Sequence, residues 1–172
     1  TELLCVMFCD ISGFTTIANA SLSESQRILA LHSVIVQTEV ERNKGGEIVN
    51  TAGDGILAVF ANPATATECA LRIHEATYRY YERSLDDHAL VAALHARGVK
   101  RMPTEHDVPH HVHVGMHLGI VTRGGRTSRD VFGHNVNIAC RLCDLGSKGQ
   151  TYMSTPVYDN ARLIIGDQAD LR

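Results

Sequence analysis

The sequence lacks the features that mark membrane-spanning, secreted and nucleic-acid-binding proteins. Its 172 residues contain no apolar run long enough to cross a bilayer and no signal peptide at the start. Basic residues number 16 and acidic residues 19, so no basic excess offers a footprint for nucleic acid. The chain opens at Thr1 on an apolar run without an initiator Met. We expect a cytoplasmic domain excised from a longer protein, in which a membrane anchor and regulatory or sensor domains could lie elsewhere.

The cysteine pattern lacks the signs of a disulfide framework. The five cysteines are odd in number and follow no regular framework, so we expect reduced thiols rather than disulfides. Cys140 and Cys143 form a C-x-x-C pair, a spacing also found in redox sites and in half of a zinc site. Because the pair lies inside a helical pattern, packing of small apolar side chains is the simpler interpretation.

The remaining composition is that of one ordinary globular domain spanning residues 1–172. Hydrophobic residues make up 44% and charged residues 20%, and neither repeats nor low-complexity tracts are present. Periodicity predicts strands at 2–9, 47–50, 55–60, 111–121 and 150–153, and helices at about 23–43, 63–81, 134–144 and 156–163. This order predicts an α+β fold with a ferredoxin-like βαββαβ core, extended by further strands and helices, with the helices on one face.

Residues 84–110 fit this scheme least well. The segment has four histidines, two prolines and the apolar patch Leu90, Val91 and Leu94. We predict a surface insertion here, and a flexible turn at residues 123–126, where two glycines lie between two arginines.

The first motif with chemical content is residues 8–15, Phe-Cys-Asp-Ile-Ser-Gly-Phe-Thr. Asp10 ends a buried strand and Gly13 then turns the chain toward a helix. A carboxylate in this place can hold Mg²⁺, while main-chain N–H groups after it face phosphate oxygens. The alternative is that Asp10 merely caps a helix.

The second motif is residues 45–55, which contain Asp54 at the tip of a hairpin. An aspartate between glycines is also ordinary turn chemistry. If the hairpin pairs beside the first strand, however, Asp54 and Asp10 come close together. Two adjacent carboxylates repel each other unless a cation lies between them, which is the arrangement of a two-metal site.

The third motif is residues 130–141, in which Asn137 and Arg141 are four apart on one face of a helix. They could be an ordinary exposed polar pair. The functional interpretation is an amide and a guanidinium directed together at sugar and phosphate.

In order, spacing and residue type, the three motifs resemble the catalytic domain of class III adenylyl and guanylyl cyclases, the cyclase homology domain. The resemblance covers about residues 3–160 apart from the segment 84–110. It implies the class III cyclase fold and a homodimer with active sites at the interface. It also implies conversion of ATP to 3′,5′-cyclic AMP and pyrophosphate with two Mg²⁺ or Mn²⁺ ions per site.

The resemblance also assigns roles to residues. Asp10, Asp54 and the Ile11 carbonyl of one subunit would hold both ions, while Asn137 of the other subunit would orient the ribose. Arg141 would stabilise charge on the α-phosphate. The phosphate-binding turn would be Ser12, Gly13, Phe14 and Thr15.

Two base-selecting positions depart from the family pattern, which has Lys and Asp in adenylyl cyclases and Glu and Cys in guanylyl cyclases. Here they are Asn50 and Asp130. Asp130 can accept from the adenine 6-amino group, whereas it would oppose the O6 acceptor of guanine at a cost of roughly 1–3 kcal/mol. The pair therefore favours ATP over GTP.

Two phosphate-binding positions also depart. His113 stands where family members often have an Arg that reaches the terminal phosphates, and Lys148 lies near another phosphate-binding Lys but displaced in register. His111, His113 and His117 share one strand face, which suggests zinc. No Cys or carboxylate stands at matching spacing nearby, so we do not favour a zinc site there.

Two alternatives remain open from the sequence. A degenerate domain that binds nucleotide without turnover is supported by Asn50 and His113, and opposed by the presence of both aspartates and the asparagine–arginine pair. A guanylyl cyclase is opposed by Asp130.

Overall fold

A long first strand lies at the centre of the sheet. The computed structural model describes residues 1–125 and 129–166. Strand β1 (Glu2–Ile11) pairs antiparallel with β3 (Gly55–Phe60) on one side and with β4 (Val112–Arg123) on the other. Both neighbours of β1 therefore come from much later in the chain.

The remaining strands extend this core outward. Strand β2 (Gly46–Ala52) pairs antiparallel with β3, and the two-residue β5 (Val131–Phe132) pairs antiparallel with β4. Strand β6 (Thr151–Met153) runs parallel to β4. The resulting order β2-β3-β1-β4-β5 has the ferredoxin-like arrangement that was predicted, extended by β5 and β6.

In the described residues, the helices are α1 (Phe14–Ala20), α2 (Leu22–Arg42), α3 (Pro63–Tyr81), α4 (His88–Ala96), α5 (His134–Leu145) and α6 (Thr155–Ile165). Helix α3 begins where it was predicted, because Asn62 accepts from the Ala64 N–H at 2.8 Å and Pro63 occupies the first turn. Helix α2 begins at Leu22, one residue before the predicted start, and is capped by Ser21, whose side chain accepts the Glu24 N–H. None of the helices in this part of the chain is long and apolar enough to cross a membrane.

The two faces of the sheet carry different cores. On one face, Cys5, Met7 and Cys9 of β1 pack in a large cluster with α2, α3 and α4. On the other face, Leu4 and Val6 join a smaller cluster that includes a residue of α5. Alternation along one buried strand thus produces two apolar layers.

Helix α5 lies on the face opposite to α2 and α3, so the prediction of helices on one face is wrong for this helix. The cause is Gly115 of β4, where a Cβ would collide with the main chain of Ala139 and Cys143. Gly119 leaves similar room for Asn135. These glycines remove side chains from the strand, so the helix backbone can rest directly on the sheet.

The segment 84–110 is not confined to the surface, contrary to the prediction. Leu90 and Leu94 of α4 are fully buried in the large cluster. The helix is anchored by Asp87, which accepts from the Leu90 N–H at 3.0 Å and pairs with Arg42 at 2.6 Å. The Arg42 guanidinium lowers the pKa of Asp87 to about 2. The apolar residues of α4 cover too short a stretch to stand out as a helical period in the sequence, yet they form a helix that packs in the core.

We expect Leu90→Ala to lower the free energy of unfolding by about 2–5 kcal/mol, because it empties a filled site in the core. A matched control is Leu163→Ala, at a side chain that is 92% exposed, which should change stability by no more than about 0.5 kcal/mol. Urea unfolding monitored by circular dichroism measures both. Equal effects of the two substitutions would show that α4 does not belong to the core.

The predicted turn at residues 123–126 is described as far as Gly125, and Arg126 lies outside the described residues. Arg123 ends β4 and makes ion pairs with Glu2 at 3.2 Å and with Glu47 at 3.1 Å. The residue at which the turn starts is therefore held by ion pairs to β1 and β2.

Candidate active site

Two aspartates meet beside the end of β1. Asp54 follows Gly53, whose φ of 60° lies in the left-handed region that tight turns require. Its Oδ2 accepts the Ile11 N–H at 3.0 Å, which ties the hairpin tip to β1 next to Asp10. A Cβ at Gly55 would lie 2.8 Å from Asp10 Oδ1, so only glycine leaves this space open. The structure thus brings the two carboxylates together, as the pairing argument predicted.

This arrangement is electrostatically unfavourable without a cation. Burial raises the pKa of Asp10, and the neighbouring Asp54 raises it further, while His113 lowers it. The carboxylates offer the hard oxygen ligands that Mg²⁺ and Mn²⁺ prefer. Their chemistry, their crowding and the space left by Gly55 therefore fit divalent cations.

The turn after β1 is shaped by Gly13, whose φ is 69°. The Ser12 N–H donates to the His111 carbonyl at 2.8 Å. It therefore cannot donate to a phosphate oxygen, contrary to what the resemblance implied. The first helical bond of α1 runs from the Ile17 N–H to the Gly13 carbonyl at 3.2 Å. The N–H groups of Phe14 and Thr15 thus precede the hydrogen-bond ladder and are suited to face an anion.

His113 faces Asp10 directly, since the two residues are opposite each other in the β1–β4 register. Its Nδ1 lies 3.0 Å from Ser12 Oγ, and its Nε2 lies 4.0 Å from Asp10 Oδ2. Only 15% of the side chain is exposed. His113 is therefore held within the carboxylate cluster.

Cys143 of α5 also reaches this cluster. Its thiol donates to the His113 carbonyl at 3.6 Å, and one ligand atom each from Asp10, His113 and Cys143 lie within 4.8 Å of one another. No Cys or carboxylate stands at matching spacing near these histidines in the sequence, but the fold brings the distant residues Asp10 and Cys143 to His113. Among the residues that the structure describes, His113 groups with Asp10 and Cys143 and not with the other two histidines, and His117 bonds Asn135 at 3.0 Å.

The asparagine–arginine pair lies elsewhere on α5. Asn137 and Arg141 are both exposed. Within the described ranges, no hydrogen bond or ion pair joins either residue to Asp10 or Asp54. One chain therefore presents the carboxylates in one place and the pair on an open helix face.

The base-selecting candidates lie on opposite edges of the sheet. Asn50 is exposed on β2 beside a register shift, and Asp130 is half-buried just before β5. Glu47 of β2 connects the two edges, with an ion pair to Arg123 at 3.1 Å and another to Arg129 at 4.0 Å. The sheet is therefore curled enough for ion pairs to join its two edge regions.

Lys148 is exposed in the loop between α5 and β6. The neighbouring Gly149 N–H donates to the Val112 carbonyl at 2.9 Å, which fixes this loop to the start of β4. Lys148 thus lies near the same end of β4 as His113, with its side chain open to solvent.

Sequence reasoning missed one residue beneath the site. His32 of α2 is fully buried, and burial lowers its pKa to about 4, an effect that the main chain of Asp54 and Cys9 only partly offsets. It is therefore a neutral ring that packs under the hairpin tip. The available signal was a lone histidine in the apolar stripe of α2.

Known structures of cyclases share this fold. The crystal structure of the guanylyl cyclase Cya2 matches with a TM-score of 0.71 at 20% identity, covering 99% of this chain and 82% of that chain. The monomeric guanylyl cyclase domain of the RhoGC fusion protein from Blastocladiella emersonii gives 0.70 at 20%, covering 94% and 86%. Adenylate cyclases from Trypanosoma brucei in their monomeric state give 0.68 at 18%, covering 95% and 80%.

Sequence comparison leads to the same family. A search of the curated proteins found no match. A family model for the adenylate and guanylate cyclase catalytic domain, however, matches residues 1–167, nearly the whole chain. With its curled antiparallel sheet and the carboxylate pair at the end of β1, the chain belongs to the adenylate and guanylate cyclase catalytic-domain family.

Proposed function

We propose that this cyclase domain is an adenylyl cyclase, which converts ATP to 3′,5′-cyclic AMP and pyrophosphate at sites shared between the subunits of a homodimer. The observation that carries the proposal is the meeting of Asp10 and Asp54, tied by the bond from the Ile11 N–H to Asp54. Domains of this family use divalent metal ions, bind nucleotide and act as dimers.

Asp10 and Asp54, with the Ile11 carbonyl, would hold two Mg²⁺ or Mn²⁺ ions. When bound, these ions supply activation of the ribose 3′-hydroxyl and neutralisation of the triphosphate. The two carboxylates would hold the ions at the end of β1, and the turn at Gly13 follows directly in the chain. The N–H groups of this turn would bind phosphate oxygens.

The second subunit would supply the groups that act on the sugar and the α-phosphate. Asn137 would orient the ribose so that its 3′-oxygen attacks the α-phosphorus in line with the departing pyrophosphate. Arg141 would stabilise the negative charge that develops on the α-phosphate. Both side chains are exposed on α5, which supports their assignment to a site completed by the other subunit.

Substrate choice would rest mainly on Asp130, since an ionised carboxylate only accepts and adenine offers a donor where guanine offers an acceptor. Asn50 can donate or accept through its amide, so it would tune the preference. We expect Asp130→Ala to lower kcat/KM for ATP relative to GTP by roughly 5- to 150-fold, equivalent to about 1–3 kcal/mol.

The matched variant is Asn50→Lys, which adds a charged donor and should leave ATP preferred. Catalytic efficiency for each nucleotide, in wild type and both variants, makes the comparison. Unchanged selectivity in Asp130→Ala would contradict this account of base recognition.

The direct test of function is to incubate the purified domain separately with ATP and GTP, with Mg²⁺ or Mn²⁺, and to identify the products by mass spectrometry. Cyclic AMP as the main product supports the proposal. Cyclic GMP as the main product would mean a guanylyl cyclase. No cyclic product from either nucleotide would mean a nucleotide-binding regulatory domain.

A further inference from the structure

A carboxylate, an imidazole and a thiol converge at the contact between β1, β4 and α5. We propose that Asp10, His113 and Cys143 form a binding site for Zn²⁺ or a similar transition-metal ion, which shares Asp10 with the Asp10–Asp54 pair but not Asp54. We further propose that an ion bound there inhibits the cyclase. The inhibition rests on the proposed function, whereas the binding site does not.

The ligand set is of the kind that zinc selects. Within the described residues, the donor atoms of these three groups lie within 4.8 Å of one another. Zinc bonds of about 2.0–2.3 Å put tetrahedral ligands roughly 3.3–3.8 Å apart, so small side-chain movements close the remaining gap. A mixed oxygen, nitrogen and sulfur set favours Zn²⁺ over Mg²⁺, which prefers oxygen.

The orientation of His113 supports this assignment. Its Nδ1 lies 3.0 Å from the Ser12 hydroxyl, which leaves Nε2 directed toward Asp10 at 4.0 Å. A metal-binding histidine commonly has its other ring nitrogen fixed by a hydrogen bond of this type. Ser12 would therefore be a positioning residue for the ring.

Cys143 is placed by the close packing of α5 on β4. A Cβ at Gly115 would collide with its main chain, so the thiol is held against the strand beside His113. It is 1% exposed and donates to the His113 carbonyl. On binding, the thiol would lose its proton to solvent, and the thiolate charge would be balanced by the cation.

Inhibition would follow because both sites need Asp10. A carboxylate bound to Zn²⁺ together with His113 and Cys143 is no longer available to complete the pair with Asp54. Mg²⁺ competes poorly for imidazole and thiolate ligands. Zinc would therefore lower turnover even when Mg²⁺ is in large excess.

Binding is tested with Co²⁺ as a spectroscopic probe of the full domain, with a phosphine rather than a thiol as reductant. We expect a near-ultraviolet thiolate-to-cobalt charge-transfer band in wild type. The band should be absent in Cys143→Ser and retained in Cys140→Ser, the control on the same helix outside the cluster. Zinc affinity, measured by competition with a chromophoric chelator, should fall at least tenfold in Cys143→Ser and in His113→Gln.

A band that persists in Cys143→Ser, or zinc affinity equal to that of wild type in both variants, would overturn the site. Thermal unfolding checks that each variant is folded, and Cys143→Ala replaces Cys143→Ser if the serine variant is not.

The inhibition is measured as cyclase activity against Zn²⁺ concentration at saturating Mg²⁺. Cys143→Ser should need at least tenfold more zinc for half inhibition than wild type and Cys140→Ser, and equal sensitivity would overturn the inhibitory role. A domain that shows the cobalt band but makes no cyclic nucleotide would refute the proposed function alone. An active cyclase without the band would refute the zinc site alone.

Discussion

Asp54→Asn is expected to lower cyclase turnover by roughly 1000-fold or more. The substitution removes one of the two charges that would hold the metal ions, which contribute several kcal/mol to stabilisation of the transition state. The fold should persist, because the asparagine oxygen can still accept the Ile11 N–H that now binds Asp54 at 3.0 Å. Initial rates with saturating ATP and either Mg²⁺ or Mn²⁺ measure the effect.

The control is Asp159→Asn, which makes the same change of charge at an exposed position on α6. It should leave the rate within about twofold of wild type, consistent with the small effects of surface changes. Substantial metal-dependent activity in Asp54→Asn, with the circular dichroism spectrum unchanged, would show that Asp10 and Asp54 do not bind metal jointly.

Mixing two inactive variants should restore activity if each site is shared between subunits. Asp54→Ala removes the metal-binding half of a site, and Arg141→Ala removes the half that α5 would supply. In an equimolar mixture, about half of the dimers are heterodimers, and each has one intact site of two. The expected activity is therefore about a quarter of that of wild type.

A matched mixture distinguishes this rescue from general effects of mixing. Asp54→Ala combined with Asp10→Ala damages the same half of the site in both subunits, so no heterodimer site is intact. This mixture should stay inactive. Failure of Asp54→Ala and Arg141→Ala to complement, with heterodimers detected by native mass spectrometry, would exclude the shared site.

Several elements and one half of the site could be predicted from the sequence. Helix α3 has the predicted bounds. Its start is marked locally, because Asn62 caps the helix and Pro63 occupies its first turn. The approach of Asp10 and Asp54 was also predictable, since it needs only one hairpin paired beside one strand. The first case rests on a local capping signal, whereas the second joins segments 43 residues apart and was predicted on the condition that the hairpin pairs beside β1.

Features that depend on distant packing were not predictable. Gly115 lies within the predicted strand 111–121, and nothing near it in the sequence shows that it admits the backbone of α5. That docking brings Cys143 to His113, thirty residues away. Helix α4 was missed for a similar reason, because the burial of Leu90 depends on the position of α2.

The central position of β1 has a consequence for synthesis of the protein on the ribosome. Strand β4 begins at Val112, about 100 residues after β1 ends at Ile11. At about 5–20 residues per second, one edge of β1 waits roughly 5–20 s for its partner. The strand that carries Asp10 emerges before every other strand of the sheet. Throughout that interval the unpaired N–H and C=O groups along this edge of an apolar strand are exposed to pairing with other nascent chains.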